Sequence, residues 1–398
     1  MALLLRKDFI PKMKQKHGDG LFLAMVALFW FAQYVFVPFL SPHLIALGIT
    51  ASFAGVIMGA YGVAQLVLRV PVSVGEDICG RHKAFICAGL LLLALASAIA
   101  LIFSSPVAYL VFRTLTGVAA STWVSYTAAF TQHGQNGKQR MGKLIAANNF
   151  GVMLSYIVGG VLYQVYGMDA LLLASVGSAL LALGLTALWK PEHAPEGHPF
   201  QPRAFVKVLS NGHLWRCGLL MALGMLIVFA TSSSFVSSYA KLLGADSLML
   251  SLIAVAFNAM GTLMSWAYAQ GAMRRLSERA QLVVSFLILD LYCALHPLCV
   301  SPWQVALVQL LGGAGRSILY TLLMAVAAAE IPPESQTTAN GVFQSLYSLG
   351  MTAGPVVMGQ LIDRSGSYPF SFLMMAAAAL LGVAWSLLRY RRKNETVS

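Results

Sequence analysis

Arg69-Val70-Pro71-Val72-Ser73-Val74-Gly75-Glu76-Asp77-Ile78-Cys79-Gly80-Arg81-His82-Lys83 stands between two long apolar runs, near residues 50–72 and 84–104. The stretch is a short polar break, and each run beside it has the roughly 20 residues a helix needs to cross a lipid bilayer. Moving outward, ten more such runs appear near 21–42, 106–131, 141–164, 169–189, 214–240, 247–270, 280–300, 302–329, 338–362 and 368–389. They are too long and too uniformly apolar for barrel strands, and backbone polar groups cannot go unpaired in hydrocarbon, so each is expected to be a helix. The predicted fold class is an all-α polytopic membrane protein with twelve transmembrane helices. Composition agrees: 58% of the 398 residues are hydrophobic and 10% charged, against about a quarter charged in a soluble domain. Twenty-six Lys+Arg and fourteen Asp+Glu cannot cover a water-soluble core of that size, which excludes a soluble enzyme.

The basic residues give the orientation. With the N-terminus inside, twenty-one of them fall in segments on the cytosolic side, whereas only Lys241 and Arg364 fall on the other. Positive charge collects on the cytosolic side of membrane proteins, so both termini are expected in the cytosol, with the chain multi-pass in the cell (inner or plasma) membrane. The net charge of +12 comes in clusters between apolar runs without interleaved stacking aromatics, so no nucleic-acid partner is expected. Cys79, Cys87, Cys217, Cys293 and Cys299 are odd in number and scattered, with neither a disulfide framework nor metal spacing. The basic N-terminal stretch reads as a cytosolic tail or short amphipathic helix rather than a cleaved signal.

The longest polar break, about 190–213, divides the runs six and six. The expected organisation is a tail at 1–20, a six-helix bundle at 21–189, a cytosolic linker at 190–213, a second bundle at 214–389 and a tail at 390–398. Sliding the chain against itself by half its length aligns glycines: Gly142 with Gly341, Gly151 with Gly350, Gly160 with Gly359 and Gly167 with Gly366. Gly62 also meets Gly261, and Phe36-Val37 meets Phe235-Val236. The bundles are therefore read as two pseudo-symmetric copies.

Two six-helix halves joined by a polar loop resemble the major facilitator superfamily, and the opening stretch carries the residue-level likeness: Asp77 followed by Gly80-Arg81-His82 is similar to that family's signature loop. Physically, Gly80 permits a tight turn, Asp77 is suited to accept from a helix N-terminus or a basic partner, and Arg81 to bridge to the other half. With Arg69 these are the expected gating residues. The corresponding loop of the second half, Gly271 to Arg279, is degraded. Arg113-Thr114-Leu115-Thr116-Gly117 resembles the family's Arg-x-x-x-Gly motif, often linked to proton coupling. The drug-antiporter pattern of span five is interrupted here by Ser155 and Tyr156, and a closer version, Gly350 through Gly354-Pro355 to Gly359, sits in span eleven. By the resemblance, spans one, four, seven and ten line a central cavity, and bundle rocking gives alternating access.

An ionised side chain at mid-membrane costs about 2.5–3.5 kcal/mol on insertion scales, so each needs a reason. Arg113, Asp290 and Arg316 are the ones to explain. Two guanidiniums without a carboxylate on the pathway helices would attract an anion, since a carboxylate or phosphate takes paired hydrogen bonds from each planar fork. The other reading is structural: Arg316 held by Asp290, and Arg113 by carbonyls and Gln33. Gln33, Tyr34, Asn149, Tyr156, Tyr320, Gln344 and Ser348 complete the candidate solute contacts, and Asp290 and Arg113 are the coupling candidates. His43, His133 and His296 are isolated and no phosphate-binding loop is present, so no enzyme and no cofactor are expected. The function expected is secondary transport of a small organic, anionic solute by a monomer, with protons or a counter-transported solute as partner. Proton-coupled efflux of drugs or metabolites is one alternative, and a membrane sensor or lipid-translocating protein another.

Overall fold

The computed structural model describes residues 2–131, 137–190, 202–327, 329, 331 and 336–388, with the side chains of 2–17, 77, 137, 138, 203, 204, 336 and 337 outside that description. The first bundle comprises α1 (Ala2–Tyr34) continued by α2 (Val37–Ala46), α3 (Ala51–Cys79), α4 (His82–Phe103), α5 (Pro106–Ser121) continued by α6 (Trp123–Thr131), α7 (Gly137–Tyr166) and α8 (Met168–Leu188). A short amphipathic helix, α9 (Pro202–Leu209), precedes the second bundle. That bundle comprises α10 (Gly212–Ala230) continued through a π turn by α11 (Val236–Leu242), α12 (Ser247–Ala269), α13 (Glu278–Leu295), α14 (Pro302–Ala327), α15 (Gln336–Ser365) and α16 (Tyr368–Leu388). No strand occurs among the described residues.

Eleven of these stretches are long and apolar enough to cross a membrane. The twelfth, α15, spans 30 residues but carries Asn340, Gln344, Ser345, Ser348, Thr352, Gln360 and Asp363 along it. It packs against α3 of the first bundle and α10 of its own, so protein rather than lipid surrounds many of its polar groups. With twelve crossings, both ends of the chain lie on one side, called here the termini side.

The half-length repeat has a physical counterpart at several of the matched positions. Val37 and Val236 are the first residues of α2 and α11, so spans one and seven are interrupted at the same register, one by a turn at Val35-Phe36 and the other by the Thr231–Phe235 π turn. A Cβ on Gly151 would collide with the Ala27 carbonyl of α1, and one on Gly350 with the Ala222 carbonyl of α10, so both glycines let a helix of their own bundle approach. Gly160 and Gly359 instead admit the opposite bundle, at Ser251 and at Ala51 respectively. Gly167 and Gly366 both take positive φ, 75° and 63°, where only glycine turns the chain without strain.

Because no neighbouring atom at Gly350 can retreat without moving backbone, Gly350→Ala is expected to cost about 1–3 kcal/mol through overpacking and to lower the thermal unfolding midpoint in detergent. Gly177→Ala, with nothing within 4 Å of the added methyl, should leave it unchanged or slightly raised. Equal midpoints for the two variants would contradict this account of the packing.

Candidate functional site

Three arginines meet between the bundles, each against aromatic rings. Arg113 on α5, 4% exposed, has its guanidinium 4.7 Å from the Tyr61 ring centre and 5.7 Å from that of Phe36. Arg316 on α14 lies 5.3 Å from the Phe257 ring and against Gly261, where a Cβ would come within 2.9 Å of its Nη2. Arg69 on α3, 3% exposed, lies 5.9 Å from the Tyr347 ring. Tyrosines lie among the three: Tyr34 is near Arg113 and Arg316, Tyr61 near Arg113 and Arg69, and Tyr320 near Arg316 and Arg69. The Tyr34 and Tyr156 ring centres are 6.2 Å apart, as are those of Tyr320 and Tyr347.

Local sequence explains how the rings come to lie beside the charges. Gly117 follows Arg113 by one helical turn, and a Cβ there would strike the Tyr61 carbonyl. The Arg-x-x-x-Gly spacing thus lets α3 approach α5 closely enough for Tyr61 to lie against the guanidinium. On α3, Tyr61, Gln65, Arg69 and Ser73 recur every four residues, and all are buried. On α15, Asn340, Gln344, Ser348 and Thr352 have the same spacing. Each set forms a polar stripe on one face of its helix, and the two stripes meet where α3 packs on α15.

The hydrogen bonding of the arginines is incomplete. The Nε of Arg69, of Arg113 and of Arg316 is buried with no acceptor among the described residues. Ion pairs among the described residues are Glu76 with His82 and Asp19 with Arg140, and none involves these three arginines. The electrostatic neighbours of Arg113 and Arg316 are tyrosines. Cation–π contacts contribute about 0.5–2 kcal/mol each, less than the several kcal/mol that desolvating a charge costs.

The remaining expected residues divide. Gln33 donates to the Thr116 carbonyl at 3.0 Å rather than holding Arg113, and its Oε1 is buried without a donor. Tyr34, Tyr156 and Tyr320 belong to the arginine cluster, and Asn149 is part-buried two turns from Tyr156 on α7. Gln344 accepts from Arg69 Nη1. The Ser348 hydroxyl is engaged with the Gln344 carbonyl at 2.8 Å. Asp290 lies on α13 and forms no ion pair with Arg316. Gly80 ends α3 with φ 61°, Arg81 is exposed at the start of α4, and the Asp77 side chain lies outside the described residues. Sequence reasoning missed Tyr61 as a contact of Arg113, for which the four-residue stripe was the available signal. It also missed the buried Glu76–His82 pair, whose partners are separated by the Gly80 turn.

On the side away from the termini, the bundles are joined by three sets of contacts. Ser41 and Ser238 hydroxyls lie 2.6 Å apart. Ser251 donates to the Tyr156 carbonyl at 2.7 Å. Asp363 of α15 accepts from the backbone N–H groups of Ala51 and Ser52 at 3.0 and 2.7 Å, placing a carboxylate at the positive N-terminus of α3.

Two pseudo-symmetric six-helix bundles enclosing a polar, charged cluster define a polytopic transporter fold, and sequence comparison narrows the class. The profile of the Major Facilitator Superfamily matches residues 22–304 and 282–398, and the chain belongs to that family of membrane transporters. The MFS-type transporter YhhS of Shigella flexneri is 27% identical over 363 residues, 87% of this chain and 85% of that protein. YhhS of Salmonella typhi is 30% identical over 274 residues, 67% and 63% of the two chains. Among solved structures, a bacterial homologue of the human lysosomal transporter Spinster superposes with TM-score 0.76 at 12% identity, covering 94% of this chain and 96% of that one. The nucleoside transporter NupG superposes with TM-score 0.72 at 13% identity over 93% and 100%. The human organic anion transporter MFSD10 (TETRAN) gives 0.69 at 19% identity over 93% and 99%.

If the Asp363 contact helps hold the far side shut, Asp363→Asn removes the charge and weakens both acceptors. A Ser41→Cys/Ser238→Cys pair then reports closure. Disulfide formation should be a few-fold slower with Asp363→Asn than without it, and an unchanged rate would show that Asp363 does not contribute.

Proposed function

We propose that this transporter moves a small organic anion, carboxylate- or phosphate-bearing, by secondary transport with alternating access across the cell membrane, with both termini cytosolic. The observation that carries the reading is the set of three guanidiniums on α3, α5 and α14, those of Arg69 and Arg113 buried and that of Arg316 half-buried, each with a buried Nε lacking an acceptor among the described residues and none paired with a described carboxylate. In a low-dielectric interior such a group favours an anion strongly, and the planar fork favours a carboxylate or phosphate geometry. Arg113 and Arg316 come from opposite bundles and share Tyr34 as a neighbour, so one solute between them is accessible to both halves as they rock. The fold does not choose the solute, since it is shared by the nucleoside transporter NupG and the organic anion transporter MFSD10.

Proton-coupled efflux of drugs or metabolites has less support, because of its two coupling candidates, Asp290 and Arg113, the carboxylate sits on α13 and pairs with none of the three arginines. The discriminating measurement is thermal stabilisation of the purified protein by benzoate, succinate and inorganic phosphate, against benzamide and benzylamine as neutral and cationic controls. At least one anion is expected to stabilise the protein while both controls do not. Arg113→Lys and Arg316→Lys keep the charge but lose the fork. A charge-assisted hydrogen bond is worth about 1.5–3 kcal/mol, so each variant should weaken that anion roughly 10- to 100-fold. Stabilisation by benzylamine as strong as by any anion, or by none of the three anions, would end this reading.

A further inference from the structure

We propose that Arg69 is a third anion-binding residue, held between transport events by a neutral clasp, Gln344 and Tyr347 of the opposite bundle, which the solute's acid group displaces. The proposal rests on the anion reading above and adds to it a residue and a gate. Arg69 donates through Nη1 to Gln344 Oε1 and, at 2.9 Å, to the Tyr347 hydroxyl. Its Nε, on the edge a carboxylate would dock against in bidentate fashion, is buried with no acceptor. Both partners are uncharged, so the hydrogen bonds orient the guanidinium without neutralising it. Glu76, two turns further along α3, is engaged with His82. A hydrogen bond with an ionised acceptor is roughly twice as strong as one between neutral groups, and an anion that reaches Arg69 therefore outcompetes the Gln344 amide.

Position makes this displacement consequential. Arg69 is eight residues beyond Tyr61 on α3, about 12 Å toward the termini side, with Tyr61 lying near both Arg69 and Arg113 and Tyr320 near both Arg69 and Arg316. An anion leaving Arg113 and Arg316 in that direction meets Arg69 next. The clasp also joins α3 of one bundle to α15 of the other on this side of the site. One turn further on, a Cβ at Gly341 would lie 4.0 Å from that of Ser73. Releasing Gln344 and Tyr347 thus removes the cross-bundle hydrogen bonds there, and the solute itself becomes the agent that opens the way.

The test replaces the unknown solute by a tethered carboxylate. Gln344→Glu places an acid group where the neutral acceptor sits and should lock the clasp. The reporter is Ser73→Cys/Gly341→Cys, whose Cβ separation falls in the disulfide range of about 3.5–4.5 Å, with exposed Cys79 replaced by serine and the full-length protein in lipid nanodiscs. Gln344→Glu should raise the rate of disulfide formation several-fold, and adding Arg69→Gln should abolish the gain. Should Arg69→Gln not fold, Arg69→Met of similar length takes its place. Whichever of benzoate, succinate and phosphate stabilises the parent most should slow cross-linking in the parent several-fold and leave Gln344→Glu unaffected. The proposal is overturned by a Gln344→Glu rate no higher than the parent's, by a gain that survives loss of Arg69, or by a stabilising anion that leaves the parental rate unchanged. If none of the anions binds, the anion reading fails by itself, and the tethered carboxylate still decides whether Arg69 receives an acid group.

Discussion

A guanidinium taken out of water must be compensated where it lies, and in this protein the compensation comes from aromatic rings and phenols in place of carboxylates. That choice propagates outward. Rings can reach Arg113 only if α3 and α5 approach closely, which Gly117 allows. Gly313 lets α14 approach the Phe257 carbonyl of α12, and Arg316 lies against Gly261 of that helix. The arginines, tyrosines and glycines form one arrangement: the small residues bring backbones together, the rings fill the interior, and the charge is left partly uncompensated at the boundary between the bundles.

That boundary is built mostly from α3 packed on α15, with α7 on α12 beside it. Its glycines show why the half-length repeat persists at some positions and fades at others. Gly160 and Gly359 each admit the opposite bundle, and Gly151 and Gly350 each admit a helix of their own. Gly142, at the termini end, meets nothing within 4 Å, whereas its counterpart Gly341 lies near Ser73. The two crossings between bundles are thus matched away from the termini, where Gly160 meets α12 and Gly359 meets the start of α3, and differ toward the termini, where one of them carries Arg69 and its neutral partners.

The architecture was legible because the membrane imposes a length and a composition on every span, and those can be read without knowing any contact. α15 shows the limit of that logic: its polar stripe makes it the least lipid-like span, yet it crosses between α3 and α10, and a helix packed against both is released from the need to be apolar. The site was legible in its charges, because Arg113 and Arg316 stand out in apolar sequence. It was less legible in its partners. Tyr61 reads as an ordinary aromatic until the four-residue repeat with Gln65, Arg69 and Ser73 is noticed, and even then the pattern shows a face without showing what meets it. Glu76 and His82 escaped for a related reason, as the turn at Gly80 folds together residues whose sequence spacing belongs to no helix.

The two sides of the site are closed by opposite chemistry. Away from the termini, the acceptor of the cross-bundle bond is a carboxylate, Asp363, and its donors are backbone N–H groups at the start of α3. Toward the termini, the donor is the charged group, Arg69, and its acceptors are neutral. An anion arriving at the first contact is repelled by Asp363 and gains little from backbone donors already engaged. At the second it finds a cation whose present partners are the weaker acceptors. A single negatively charged solute would therefore act on one closure and spare the other, an asymmetry that would keep the two sides from opening together.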